Sequence, residues 1–410
     1  MPTVHKGCDA PGFGGSARSR ITPGQIVLVF QGGGALGAYQ AGVYEALHAA
    51  GVEPDWIVGT SIGAINAALI AGNEPANRLP RLRQFWDRIA HKDLWHNTSA
   101  WPLMSQTLSY WKALSNGISG FFEPNPMAFL GAHAQLGPER AGYYAIEPLR
   151  RTLEELVDFD LMNRCRPRLT VGTAHVRTSQ MTYFDSRDIR LGVKHIMASG
   201  ALPPAFPAVR IDGELYWDGG ILSNTPTEVI FDDNPRRDSL IFAVHMWNPM
   251  GPEPETIWDV MHRQKDIQYS SRVAAHIARQ LQTHRLRHVI KQLMTYVPPS
   301  VRDSEEVRAL AGWGCLTRMH VVRLLAPRLD NEDHTKDVDF SPGGIRKRWE
   351  AGFADAQRAL EQKPWQGEYS ALDGIVLHDA LNNAWQETTD APLPAHPQPS
   401  AHNSPVRAAE

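Results

Sequence analysis

The pentapeptide Gly59-Thr60-Ser61-Ile62-Gly63 lies between a short apolar segment, residues 55–58, and a run of small and apolar residues, 62–69. The first segment predicts a strand and the second predicts a helix, so the serine falls at a strand-to-helix turn. Small residues on both sides allow a turn so tight that the Ser61 hydroxyl stands clear of the sheet. The first amide groups of the helix would face the same point and favour an anion formed there.

A glycine cluster, Gly32-Gly33-Gly34-Ala35-Leu36-Gly37, follows another predicted strand, residues 26–30, and precedes a predicted helix, residues 38–49. Gly-x-Gly-x-x-Gly is also the signature of a dinucleotide-binding turn. That interpretation requires an acidic residue at the end of the second strand, where this chain has Gly59, Thr60 and Ser61. A tight structural turn is a further alternative.

We favour an oxyanion hole, built from the backbone of Gly32, Gly33, Gly34, Gly37 and Ile62. The N–H groups of Gly33, Gly34 and Ile62 are the expected donors to a tetrahedral oxyanion.

The tripeptide Asp218-Gly219-Gly220 ends a third segment, a hairpin predicted over residues 209–217 with its turn at Asp212-Gly213. In isolation such a tripeptide is an ordinary turn. In this order, and each at a strand end, the three motifs resemble those of the patatin-like phospholipase family. The segment 198–207, Ala-Ser-Gly-Ala-Leu-Pro-Pro-Ala-Phe-Pro, is also similar to that family.

The resemblance covers about residues 26–232. It implies a three-layer α/β/α fold in which Ser61 and Asp218 form a catalytic dyad acting on acyl esters. The remaining motif residues are Gly59, Gly63, Gly219 and Gly220.

Such a dyad needs a carboxylate that is basic enough to accept the serine proton. An unperturbed aspartate has a pKa of about 3.9, so the site must raise it, and partial desolvation is the expected means. A histidine-based triad in the order Ser, Asp, His is the alternative, because the chain has 17 histidines. That arrangement belongs to a fold with several strands before the serine, whereas Ser61 follows only two. His175, His195 and His245 are therefore expected to be structural or surface residues.

Four functions remain to be compared. The leading one is a serine lipid acyl hydrolase that cleaves carboxyl esters through an acyl-enzyme at Ser61. A thioesterase or nonspecific carboxylesterase is an alternative, since the dyad does not select the leaving group. A nucleotide-binding protein is less favoured because the expected acidic residue is missing, and an inactive lipid-binding or scaffold protein is less favoured because all three motifs are intact. No metal and no cofactor are predicted: no His-x-x-x-His, cysteine cluster or grouped carboxylates lie near the motifs.

Four regions are expected along the 410 residues. Residues 1–25 are a flexible leader, and 26–232 form the catalytic domain. Residues 233–389 form a largely helical C-terminal extension packed on that domain, with a long helix or helix pair over 257–297, a final strand over 316–325 and a helix over 344–360. Five prolines and little apolar sequence predict disorder for 390–410.

The amino-acid composition limits which binding partners and which cellular compartment we expect. A hydrophobic share of 42% and a charged share of 21% are ordinary for a globular protein, and a net charge of -3 gives no argument for nucleic-acid binding. Three widely spaced cysteines suggest free thiols, and the leader contains no secretory signal, so we expect a cytoplasmic protein. The expected partner is a lipid or other acyl ester. No oligomeric state is predicted.

Two features bear on contact with the membrane surface or the substrate. Residues 272–297 carry five basic and no acidic side chains. We expect a helix packed on the domain with a solvated basic face, although such a face also suits anionic lipid. Its apolar positions change face near His284, which predicts a kink or two packing partners. Within an insertion over 78–135, the aromatic-rich part, residues 85–130, either lines an acyl pocket or lid, or fills the core.

Overall fold

The computed structural model describes residues 24–90, 117–131, 133–329, 332, 335–381 and 384–387. The strands are β1 (Gln25–Phe30), β2 (Trp56–Thr60), β3 (Glu123–Pro124), β4 (Tyr144–Ala145), β5 (Arg168–His175), β6 (Met181–Asp185), β7 (Val209–Ile211), β8 (Glu214–Asp218), β9 (Ser239–His245), β10 (Met319–Leu325), β11 (Ile375–Leu381) and β12 (Ala384–Glu387). The helices are α1 (Ala38–Ala49), α2 (Ile62–Ala71), α3 (Pro75–Ile89), α4 (Glu147–Leu156), α5 (Phe159–Met162), α6 (Val193–Ser199), α7 (Glu228–Phe231), α8 (Ile257–Tyr296), α9 (Pro299–Arg302), α10 (Glu305–Ala311) and α11 (Pro342–Gln362).

Ten of these strands form one sheet, in the order β12-β11-β10-β9-β1-β2-β5-β8-β7, with β6 also paired to β5. The strands β11, β10, β9, β1, β2 and β5 are parallel. The others pair antiparallel. Parallel neighbours need long crossover connections, and helices such as α1 between β1 and β2 supply them.

Alternate residues of β1 face opposite sides of this sheet. Leu28 and Phe30 join a core cluster that includes residues of α1, α2, α3 and α11, whereas Val27 and Val29 join a second cluster with residues of α7 and α8. All four side chains are buried. Helices therefore cover both faces, which explains why the strand is apolar at successive positions. The predicted three-layer α/β/α fold is confirmed.

The elements predicted around the motifs occur where the sequence placed them. The bounds of β1, α1, β2 and α2 differ from the predicted bounds by at most two residues, and the hairpin of β7 and β8 turns at Asp212-Gly213 as predicted. A short 3-10 helix, Gly34–Gly37, joins the glycine cluster to α1. Because β1, β2 and β9 are parallel, their carboxyl ends bring the segments after Phe30, Thr60 and His245 to one edge of the sheet.

The C-terminal region is helical as predicted, and it also builds part of the sheet. The sheet continues past residue 232, since β9 pairs with β1 and β10 pairs with β9. The prediction that residues 316–325 form the final strand is wrong, because β11 and β12 add two more strands beyond β10. Neither of these strands was predicted from the sequence.

Helix α8 is a single helix of 40 residues. Its first apolar face packs against the domain through Ile277, and the prediction of a solvated basic face is confirmed, since Arg279 and Arg285 are exposed. The second apolar face is only partly covered within the described residues: Val289 is half-buried, and the loop at Gly314 packs against Ile290. Leu286 and Leu293 are 57% and 58% exposed.

The aromatic insertion contributes to the core where the structure describes it. Trp86 and Phe122 are buried in the first core cluster, and Phe121 packs against it. Trp95, Trp101 and Trp111 lie outside the described residues, as does the predicted tail.

Cys315 is a free thiol and Cys165 is disulfide-bonded. The expectation of free thiols is therefore wrong for Cys165.

Candidate active site

Ser61 lies between β2 and α2 in a conformation that L-residues rarely adopt, with φ 57° and ψ -128°. The backbone around Ser61 is packed so closely that glycine is required on both sides of it. A Cβ added to Gly63 would lie 2.3 Å from the carbonyl oxygen of Phe30, and a Cβ added to Gly59 would lie 2.5 Å from the carbonyl oxygen of Gly63. The Ser61 N–H donates to Ser199 Oγ at 2.9 Å. The surrounding structure thus holds a strained turn in place, as active sites commonly do.

The register of the sheet brings Asp218 to the same place. At the carboxyl end of β2, Thr60 is opposite Gly172 of β5, and on the other side of β5 Asp218 is opposite Thr173. Ser61 and Asp218 therefore flank β5 at nearly the same level. The Ser61 hydroxyl lies close enough to the Asp218 carboxylate to act on it as a hydrogen-bond donor, an effect that by itself lowers the pKa of Asp218.

Asp218 is a buried carboxylate whose hydrogen bonds only partly offset the cost of burying its charge. It is 2% exposed, and besides Ser61 it accepts a hydrogen bond from the N–H of Gly220 at 2.7 Å. Burial raises the pKa of Asp218 to about 7, against the opposing effect of these two hydrogen bonds. A carboxylate with this pKa can accept a proton near neutral pH, which an exposed aspartate does poorly.

The glycine loop presents free N–H groups beside Ser61. The N–H groups of Gly33, Gly34 and Ile62 donate to no acceptor among the described residues. Gly34 has φ +56°, and a Cβ on it would lie 2.1 Å from the carbonyl oxygen of Asp337, so only glycine fits there.

The other predicted motif glycines lie close to Ser61, Ile62 or Asp218 and have structural contacts there. Gly32 is adjacent to Ser61, since a Cβ on it would lie 3.0 Å from Ser61 Cβ, but its N–H already donates to the carbonyl of Asn224 at 3.2 Å. Gly37 packs against Ile62, and Gly219 packs against the Gly172 carbonyl. Gly220 supplies the N–H that Asp218 accepts.

In the part of the chain that the structure describes, none of the three candidate histidines forms a hydrogen bond or ion pair with Ser61 or Asp218. His175 contacts Thr178 and Glu214, and His195 contacts the backbone of Gly192. His245 is buried, and burial and the nearby Arg323 lower its pKa to about 3, so it is neutral.

Sequence reasoning missed four buried polar residues that hold these groups. Ser199 links the N–H of Ser61 to the carbonyl of Gly172, to which its hydroxyl donates at 2.7 Å. Asn224 and Trp247 donate to the carbonyl of Gly32, and the Gln31 side chain accepts from the backbone N–H groups of Met246 and Trp247. Ser199 lies in a segment already singled out, whereas no sequence pattern indicates which atoms the other three contact.

A cavity of about 320 Å³ lies beside the glycine loop rather than over the dyad. Leu36 and Met246 form its wall toward the loop, and the rest is lined both by charged side chains such as Asp266 and Lys336 and by apolar ones such as Leu329.

Within the described ranges, no group of three metal-ligating side chains comes together. None of the helices described there has both the length and the apolar character needed to cross a membrane.

Comparison with known families identifies the chain. A model described as "Patatin-like phospholipase" matches residues 28–231, and one described as "Patatin phospholipase" matches residues 267–371. The chain belongs to the patatin-like phospholipase family. The first match contains all three motifs, and the second covers most of α8, the strand β10 and helix α11.

Curated relatives are similar over part of their length. An uncharacterized NTE family protein of Mycobacterium tuberculosis is 28% identical over 239 residues, which is 57% of this chain and 32% of the relative. Lysophospholipase nte1 of Aspergillus terreus is 26% identical over 270 residues, 60% of this chain and 15% of the relative. The chain thus spans a third or less of the curated relatives it matches.

Solved structures show only a loose overall likeness. VipD from Legionella pneumophila matches with a TM-score of 0.34 and 14% identity, covering 82% of this chain and 67% of that one. ExoU from Pseudomonas aeruginosa, in complex with SpcU, matches with a TM-score of 0.25 and 18% identity, covering 85% and 75%.

Proposed function

We propose that the chain is a serine lipid acyl hydrolase that cleaves carboxyl esters through a Ser61–Asp218 dyad. The observation that carries the proposal is that Asp218, level with Ser61 across β5, is a buried carboxylate whose pKa burial raises to about 7. A serine hydroxyl is a weak nucleophile unless a base accepts its proton. The position of Asp218 beside Ser61 and its raised pKa support this role.

In the first half of the reaction, Ser61 Oγ attacks the ester carbonyl and its proton passes to Asp218. The carbonyl oxygen becomes an oxyanion, which accepts hydrogen bonds from the N–H groups of Gly33, Gly34 and Ile62. The tetrahedral intermediate then expels the alcohol, which takes the proton from Asp218. An acyl-enzyme remains at Ser61.

In the second half, water attacks the acyl-enzyme and gives its proton to Asp218. Collapse of this second intermediate breaks the acyl–Ser61 bond, and the proton returns to Ser61 Oγ. The fatty acid leaves and the dyad is restored. No cofactor enters either half.

A lipid substrate is supported by the family and by the surface near α8. The fungal relative is named lysophospholipase nte1. Met250, Ile257 and Trp258, at and before the start of α8, are 78%, 79% and 59% exposed. Exposed large apolar side chains, including a tryptophan, are typical of proteins that rest on a lipid surface.

Labelling with a fluorophosphonate tests the proposed function directly. Wild type is expected to form one phosphonyl adduct, which peptide mass spectrometry places on Ser61, and Ser61→Ala is expected to form none. Absence of labelling in folded wild type, or labelling of another residue, would overturn the proposal.

Vesicle flotation tests the lipid contact separately, with Ser61→Ala as the background so that no lipid is consumed. Trp258→Ala is expected to weaken binding to anionic vesicles. Trp313→Ala is the matched control, because Trp313 is 69% exposed and its neighbour Gly314 packs beside Ile290, near the other end of the 40-residue helix α8. Equal binding by both variants would contradict the contact at Trp258.

A further inference from the structure

The carbonyl of Gly32 accepts two hydrogen bonds from side chains. Trp247 Nε1 donates to it at 2.8 Å and Asn224 Nδ2 donates at 3.0 Å. Both side chains are buried. Trp247 lies two residues past the end of β9, outside both segments that the family models match.

These two hydrogen bonds also fix the orientation of the Gly33 N–H. The C=O of Gly32 and the N–H of Gly33 belong to one planar trans peptide and point in opposite directions. Two donors on the carbonyl therefore direct the Gly33 N–H away from Trp247 and Asn224. That N–H has no acceptor among the described residues, and Gly32 Cα lies against Ser61.

The next peptide is held in the same way. The carbonyl of Gly33 accepts from the N–H of Leu36 at 3.1 Å, which fixes the opposite direction for the N–H of Gly34. The Asp337 carbonyl accepts from the N–H of Ala35 at 2.8 Å and lies against Gly34. Both expected donors of the loop are thus oriented before any substrate binds.

Trp247 is itself held by the C-terminal region. The ring centroids of Trp247 and Tyr269 are 4.8 Å apart. Lys336 Nζ lies 5.1 Å from the centroid of the Trp247 ring and forms a cation–π contact with it. The backbone N–H of Trp247 donates to Gln31 Oε1 at 3.1 Å, and Gln31 also donates to the carbonyl of Tyr269 at 3.3 Å. Because these contacts fix the indole ring of Trp247, its hydrogen bond can fix the Gly32 carbonyl of the glycine loop.

We infer that Trp247 is a positioning residue for the oxyanion hole, through the bond from its indole N–H to the Gly32 carbonyl. The inference rests on the proposed function, since it concerns the same oxyanion. It gives the C-terminal region a part in catalysis: the donors lie in one part of the chain, and their orientation depends on another.

The test is Trp247→Phe, which keeps an aromatic ring against Tyr269 and removes the donor. With a soluble nitrophenyl ester, kcat is expected to fall about tenfold with KM unchanged, less than the 10²–10³-fold typical for loss of a whole oxyanion donor, because Asn224 still binds the carbonyl. The Ki of a trifluoromethyl ketone, whose adduct carries the oxyanion, is expected to rise by the same factor. The pH at which activity is half-maximal should not move, because Asp218 sets it.

Trp56→Phe is the matched control. Trp56 is buried and its Nε1 donates to Thr170 Oγ1 at 2.8 Å, so this variant also loses one buried indole hydrogen bond, but at a different site. Its kcat and Ki are expected to match wild type. A second variant, with 3-benzothienylalanine at position 247, replaces only the indole N–H by sulfur and is expected to behave like Trp247→Phe.

Activities are expressed per Ser61 labelled by fluorophosphonate, so that unfolded protein does not count. If the position-247 variants match wild type in kcat and Ki while wild type labels normally, the positioning role is wrong and the proposed function stands. If wild type itself fails to label, the proposed function is wrong. A fall in thermal midpoint alone, with kcat and Ki unchanged, would mean that Trp247 is merely structural.

Discussion

Asp218 and Asp266 are both buried aspartates, and they differ in what surrounds the carboxylate. Asp266, on α8, has Lys336 Nζ at 2.7 Å and His262 Nε2 at 3.4 Å. Asp218 accepts hydrogen bonds from the Ser61 hydroxyl and the Gly220 N–H. Burial acts to raise the pKa of both, but at Asp266 the bonds from His262 and Lys336 outweigh it and lower the pKa. At Asp218 the pKa rises to about 7.

The difference separates a structural charge from a reactive one. A buried carboxylate with a cation beside it contributes to the fold and has little tendency to take a proton. A buried carboxylate that receives only neutral hydrogen bonds is destabilised, and it is correspondingly ready to accept a proton from its neighbour. Here the neighbour is a serine hydroxyl.

The largest expected effect is that of Ser61→Ala. Hydrolysis of a short-chain nitrophenyl ester is expected to fall to background, at least about 10⁴-fold, with the thermal unfolding midpoint nearly unchanged. Ser186→Ala is the control, because Ser186 is a buried serine that accepts a backbone hydrogen bond from Leu169. It should lose stability and keep its activity. Near-wild-type turnover in Ser61→Ala would remove Ser61 as nucleophile.

Asp266→Asn tests the structural side of the comparison. Loss of the carboxylate leaves Lys336 as a buried charge without its ion-pair partner, so the free energy of unfolding at pH 7 is expected to fall by about 3–5 kcal/mol. Urea unfolding measures it. An unchanged midpoint would show that the pair contributes nothing to the fold.

The pH dependence of hydrolysis sharpens the comparison further. Protonated Asp218 cannot accept the Ser61 proton, so kcat/KM on a soluble ester is expected to fall about tenfold per pH unit below about 7 and to level off above it. Stopped assays between pH 5 and 9 would measure the curve. A midpoint near 4 would mean that Asp218 behaves as an ordinary exposed aspartate.

The smallest expected effect is that of a chelator. EDTA should leave hydrolysis of a soluble ester unchanged, because the proposed mechanism uses only Ser61, Asp218 and backbone amides. A loss of activity that a divalent ion restores would contradict this.

Much of the fold could be predicted because local pattern and tertiary structure agree around the motifs. The apolar run of β1 predicts a strand, and its residues are buried on both faces of the sheet. The small residues Gly59, Ser61 and Gly63 predict a tight turn, and they form one. The strands β11 and β12 were missed because their sequence, with His378 and Asp379 within β11, lacks a continuous apolar run.

The site could be predicted in part, for a similar reason. Ser61 and Asp218 follow from motifs at strand ends, but their meeting depends on β5 lying between them, which no local pattern specifies. The contacts of Trp247 and Asn224 with Gly32 span 215 and 192 residues of sequence. Such contacts arise only from tertiary packing.

The most direct test of the dyad is Asp218→Asn, measured for both turnover and stability and compared with single His→Ala changes at His175, His195 and His245. Because folding raises the pKa of Asp218, its carboxyl contributes stability below about pH 4 that is lost as the pH rises through about 7. The amide does not ionise, so Asp218→Asn is expected to unfold at a higher temperature than wild type at pH 8 while its hydrolysis falls to background. Each histidine variant is expected to keep activity within about tenfold of wild type, about 1.4 kcal/mol in the barrier. A folded histidine variant as inactive as Ser61→Ala, or an Asp218→Asn that still turns over, would contradict the dyad.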